Sequence, residues 1–125
     1  MRARIPAVAM LAIVMLVVSL ASPRGLSAGI GLGLSRSVYP NPFTDRTTFQ
    51  LTMPTEGIVT IRVYDITGRL MKTLEEGTPF AAGSHNIGWD GTDLDSHPAP
   101  PGVYVCALFS NNVFVNSVKV VKING

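Results

Sequence analysis

Cysteine is almost missing from this sequence. One Cys in 125 residues excludes an internal disulfide and any structural zinc site that needs two or more thiolates. Charge is sparse too, at 14% against a usual quarter, and the formal balance is only +2. That is neither the basic stripe of a nucleic-acid binder nor the polar composition of a disordered chain. No G-x-S-x-G elbow, H-E-x-x-H helix or phosphate-cradling glycine loop is present, so the sequence offers no enzyme constellation and implies no cofactor or small-molecule substrate. The length allows one domain.

Apolar residues make up 46% of the chain, and they are unevenly placed. Arg2 and Arg4 precede a run from Ala7 to Val18 without a polar residue, and the chain then breaks at Ser22-Pro23-Arg24-Gly25. This is the layout of a secretory signal peptide over residues 1–21, with cleavage after Ala21 or as late as Ala28. The run is shorter than the roughly 20 residues a membrane-spanning helix needs. Removing it takes away Arg2 and Arg4 and leaves eight basic against eight acidic side chains, so a nucleic-acid partner has no compositional support. The sequence therefore predicts export by the Sec route, with any membrane association through the signal peptide or a surface attachment. Residues 22–37, including Gly29-Ile30-Gly31-Leu32-Gly33, read as a flexible linker before a folded domain over 38–125.

That domain shows alternation of period two between clusters of Gly, Pro, Asn and Asp, the pattern of an all-β chain. Strands are expected at 47–53, 58–64, 69–74, 84–89, 103–109 and 113–123, with an extended segment around Val38. The first two of the six read as a hairpin across Pro54-Thr55-Glu56-Gly57, residues 75–83 as a surface connection, and 90–102 as a long loop. About seven short strands at this spacing predict an immunoglobulin-like antiparallel β-sandwich. Its expected core comprises Phe49, Leu51, Val59, Ile61, Val63, Leu70, Ile87, Trp89, Tyr104, Leu108, Val118 and Val120. Tyr39 and Phe43 are expected to anchor the rigid entry segment, and Cys106 to be a buried small hydrophobe.

Three side-chain groups merit chemical scrutiny. Asp90, Asp93 and Asp95 put carboxylates at spacings that Ca²⁺ ligands use, but the match to an EF-hand loop is poor and turn roles explain the same residues. Ser84, His85 and Asp90 spell a hydrolase triad on paper, yet adjacent strand residues point to opposite faces. Lys119 and Lys122 flank two valines on the last strand, where they either face solvent or frame an edge for backbone pairing.

Five segments in order then carry a resemblance: Tyr39-Pro40-Asn41-Pro42-Phe43, Val63-Tyr64-Asp65-Ile66-Thr67-Gly68-Arg69, His85 with Trp89-Asp90-Gly91, Pro101-Gly102-Val103-Tyr104, and Lys119-Val120-Val121-Lys122. Together they resemble the type A C-terminal sorting domain of the type IX (Por) secretion system and its relative, the Ig-like domain of the flagellar hook-capping protein. The resemblance implies a module recognised in the periplasm by translocon components or envelope proteins and carried to the cell surface or released. It implies that Pro40, Asn41, Pro42, Gly102, Val103, Tyr104, Lys119, Val120, Val121 and Lys122 form the recognition motif. The alternative is a structural or binding module, either a hook-capping-like scaffold or a binder of envelope protein or polysaccharide.

Overall fold

Alternating apolar residues become strands here because each pleated face meets a different environment. The computed structural model describes residues 31–124 and holds seven strands: β1 Gly33–Leu34, β2 Thr47–Met53, β3 Gly57–Asp65, β4 Leu70–Phe80, β5 Gly83–Trp89, β6 Gly102–Ser110 and β7 Val113–Lys122. The signal-peptide reading and both cleavage positions lie outside the described residues. Among the described residues there is no helix.

The strands form two antiparallel sheets, a three-stranded one in the order β1-β2-β5 and a four-stranded one in the order β4-β3-β6-β7. Phe49, Leu51, Ile87 and Trp89 from the first sheet face Val59, Ile61, Val63, Tyr104, Cys106, Leu108, Val118 and Val120 from the second, all in one buried cluster. This is the expected Ig-like sandwich. The inner-face residues are those that the period-two pattern selects, with one exception. Leu70 is only half-buried and packs on the outer face beside Tyr64, Val105 and Ala107, while its neighbour Met71 occupies the core. A one-residue offset at a strand's start moves a side chain to the other face.

Other corrections concern connectivity. β2 and β3 are not a hairpin: β2 pairs with β1 and β5, whereas β3 pairs with β4 and β6, so residues 54–56 cross between the sheets. Nor is 75–80 a surface connection, because β4 continues to Phe80. The strand tolerates Gly77 and Pro79 because it lies at the sheet edge and is interrupted by bulges against β3, where a missing ladder N–H costs little. The linker reading fails at its end as well. Gly33 and Leu34 pair with Thr52 and Leu51, and Leu34 is buried in the core.

Candidate functional site

Four of the five motif segments and the Trp89-Asp90-Gly91 part of the fifth meet at one end of the sandwich, whereas His85 lies toward the other end, beside Phe80 and Ala81. In β3, Asp65 lies opposite Tyr104 of β6; Gly102 of β6 lies opposite Lys122 of β7; and Phe43 bridges to Lys122 in parallel. Trp89, at the end of β5, stacks edge-on against Phe43 at 5.4 Å and against Tyr104 at 5.2 Å between ring centroids. These three aromatic rings close the core at this end.

Each segment has a local reason for its shape. The Asp65 carboxylate accepts the Thr67 and Arg69 N–H groups at 2.9 and 3.0 Å and the Thr67 hydroxyl at 2.7 Å, and pairs with the Arg69 guanidinium at 3.2 Å. Burial alone would raise its pKa, but these bonds outweigh it and hold the carboxyl below its ordinary value. Gly68 supplies the positive φ that the turn needs. Trp89 donates its indole N–H to the Thr92 carbonyl at 2.9 Å. The Tyr104 hydroxyl donates to the Pro100 carbonyl four residues upstream, as in the tyrosine corner of Ig-like sandwiches.

Residues 39–43 seal the open side between the two sheets. Tyr39 exchanges backbone hydrogen bonds with Thr48 of β2, at 3.2 and 2.9 Å, and the Thr47 hydroxyl donates to the Pro40 carbonyl at 2.6 Å. The chain then crosses to β7. There the Asn41 amide accepts the Val121 N–H at 2.9 Å and reaches the Lys119 carbonyl at 3.4 Å, while Phe43 accepts the Ile123 N–H and donates to the Val121 carbonyl. The bonds preceding Pro40 and Pro42 are both cis. Phe43 is the expected anchor, but Tyr39 is not: it is 79% exposed, because its backbone and not its ring is held.

This seal corrects the expectation for β7. The edge at 119–122 is already paired with residues 41–43, so its backbone is not free to receive another strand. The two lysines also differ. Alternation turns Lys119 outward and exposed, whereas Lys122 turns inward and is 9% exposed, its stem packed over Gly91. Of the ten residues of the recognition motif, Pro40, Asn41, Pro42, Val103 and Lys119 are exposed, with Val121 opposite Val103 in the ladder.

The remaining candidates resolve into local structure. Asp90 accepts the Thr92 N–H and hydroxyl, which lowers its pKa, and Asp93 accepts the N–H groups of Asp95 and His97. The ligand atoms brought within 4.8 Å of one another are those of Asp93, Asp95 and His97, so Asp90 does not join Asp93 and Asp95. The Ser84, His85 and Asp90 arrangement is not assembled. His85 turns to the inner side, where Nε2 donates to the Ala81 carbonyl at 2.7 Å and the ring stacks on Phe80, while Ser84 faces outward. Cys106 is fully buried on the inner face, and burial pushes its thiol pKa far up.

Two contributors had no signal in the sequence. Asn116 of β7 uses its side-chain amide as a peptide group, accepting the Leu34 N–H at 3.0 Å and donating to the Leu34 carbonyl at 3.1 Å. Lys72 of β4 donates to the Thr92 hydroxyl and the Asp93 carbonyl, both at 3.1 Å, and so ties the long loop to the sheet. Only the fold brings these groups to their partners.

The family model for the FlgD Ig-like domain matches residues 41–112, more than half of the chain. The chain belongs to this family. FlgD of P. aeruginosa is similar in fold, with a TM-score of 0.53 at 22% identity over 70% of each chain. The dimeric latent PorU of Porphyromonas gingivalis contains a similar fold, with a TM-score of 0.60 at 21% identity over 78% of this chain. The matched region spans only 10% of the PorU chain. At these identities the likeness concerns the fold. No curated protein matches the chain.

Proposed function

We propose that this FlgD-type Ig-like domain is a non-enzymatic exported module that directs passage across the outer membrane or attachment to the cell surface by the type IX route. The observation that carries the reading is the convergence of the motif segments, His85 apart, on one end of the sandwich, where Asn41, Val103 and Lys119 are exposed. Recognition there works through side chains and loop backbone, since residues 41–43 occupy the β7 edge. Translocon components or envelope proteins are the partners. Export is by the Sec pathway, with the signal peptide over residues 1–21.

The test is a fusion of a signal peptide, a reporter and residues 31–125 in a host with type IX machinery. The reporter should reach the surface or the medium, and Lys119→Glu should retain it in the periplasm without lowering the melting temperature. A reporter that stays periplasmic with the unaltered domain refutes the reading. Membership of the FlgD family favours a second one, an extracytoplasmic scaffold of hook-capping type, for which pull-down from envelope extract would recover structural rather than translocon proteins.

A further inference from the structure

The two sheets end in four edges, and three of them are blocked by different devices. β1 is two residues long, and Asn116 bonds its far side. β7 is covered over 119–123 by Asn41 and Phe43 and has a bulge against β6 near Phe109. β4 carries bulges, Pro79 and the charges of Lys72, Glu75 and Glu76. Short strands, covers, bulges, prolines and charges are the means by which sheets discourage edge pairing. Among the described residues no strand or loop covers β5: its seven residues, Gly-Ser-His-Asn-Ile-Gly-Trp, pair with β2 in unbroken register and themselves include no acidic residue, lysine, arginine or proline.

The free groups on that edge follow from the ladder. Ser35 donates to Gln50, and Thr48 exchanges bonds with Tyr39, so the backbones of Thr48 and Gln50 point toward the β1 side. Alternation then turns Thr47, Phe49, Leu51 and Met53 toward β5, where their partners are Trp89, Ile87, His85 and Gly83. Ser84, Asn86 and Gly88 therefore aim their N–H and C=O groups at solvent, and all three are exposed.

We propose that β5 pairs antiparallel with β5 of a second copy of this chain about a two-fold axis at Asn86. This register sets Ser84 opposite the second copy's Gly88 and Asn86 opposite its own counterpart, satisfying all three free residues at once. Any other centre leaves at least one unpaired. A two-fold interface must be self-complementary, and this edge is, since β5 itself carries no lysine, arginine or carboxylate and His85 lies opposite Ile87 rather than a second imidazole. Arg46, whose guanidinium lies close to the Gly88 position, would sit near the neutral Ser84 of the other copy. The proposal is independent of the sorting role.

The test uses the chain purified from an exporting host. Sedimentation should show dimers increasing with concentration, and Asn86→Lys, which sets two ammonium groups opposite each other on the outer face, should return the monomer without changing the circular dichroism. Under mild oxidation Asn86→Cys should cross-link at least about tenfold faster than Ser84→Cys, because hydrogen-bonded pairs bring Cα atoms to about 5.5 Å while the two Ser84 positions lie about 14 Å apart. Cys106 is buried and does not compete. A protein that stays monomeric to about 1 mM, with Asn86→Cys no faster than Ser84→Cys, overturns the proposal. So does cross-linking of Asn86→Cys in envelope extract to another protein in preference to itself.

Discussion

Gly91 leaves no room for a side chain at the motif end, and replacing it measures that packing. Its φ is +75°, a region that costs an L-residue about 1–2 kcal/mol. An added Cβ would also lie 2.9 Å from Lys122 Cε and 3.3 Å from both the Asp45 carbonyl and Phe43 Cε2. Overpacking of this kind adds about 1–3 kcal/mol, so Gly91→Ala should destabilise by about 2–5 kcal/mol. Gly77 provides the control, because its φ is also positive, at +56°, but nothing lies within 4 Å of the added atom. Gly77→Ala should therefore show the conformational part alone. In a domain of this size 1 kcal/mol moves the melting midpoint by about 4–8 °C, so calorimetry separates the two variants. The clash with Lys122 can be isolated in turn: in a Lys122→Ala background the cost of Gly91→Ala should fall by about 1 kcal/mol. Equal midpoints for Gly91→Ala and Gly77→Ala would refute the claim that Phe43, Lys122 and Asp45 close upon this residue.

Asn116→Ala removes both bonds to Leu34 and should cost about 1–2 kcal/mol, with hydrogen exchange at Leu34 accelerating far more than at Leu51; equal acceleration would show that β1 does not depend on the amide. Asn41→Ala should cost about 1 kcal/mol and expose the Val121 N–H to exchange. Asp65 and Asp90 have lowered folded pKa values, so their contribution is full above the ordinary 3.8 and is lost as pH falls below it. Asp65→Asn should therefore flatten the acid limb of the stability curve measured by urea denaturation, and an unchanged limb would count against its turn role. Cys106 should react with thiol reagents at pH 8 only as fast as the protein unfolds, and rapid labelling of the native state would contradict its burial.

Strand positions were legible because each side of a strand meets one environment. Phe49 and Leu51, or Tyr104 and Leu108, alternate with residues of the other face and so reveal their period directly. Pairing was not legible. A short Pro-Thr-Glu segment after β2 has the same composition whether it reverses within a sheet or crosses to the other, and only the burial of both strands against each other decides it. The sequence shortens β4 because Gly77 and Pro79 are breakers everywhere except at a bulged edge. The motif end was legible as a set of segments but not as a site, since the contacts of Asn41 with β7 and of Lys122 with Gly91 join residues about 80 and 31 apart.

The splitting of Lys119 and Lys122 bears on how recognition can be tested. Four motif residues hold the sandwich shut: Tyr104 caps the loop, Val120 is core, Lys122 covers Gly91, and Asn41 pairs the last strand. A variant at any of these lowers stability, and a cargo that unfolds in the periplasm is lost whether or not its recognition surface is intact. Lost sorting at those positions therefore does not distinguish a recognised residue from a structural one. Lys119 and Val103 differ, being exposed and giving no side-chain hydrogen bond among the described residues. Substitutions there should leave the unfolding free energy within about 0.5 kcal/mol of the unaltered domain, so any sorting defect at Lys119 or Val103 reports on recognition itself.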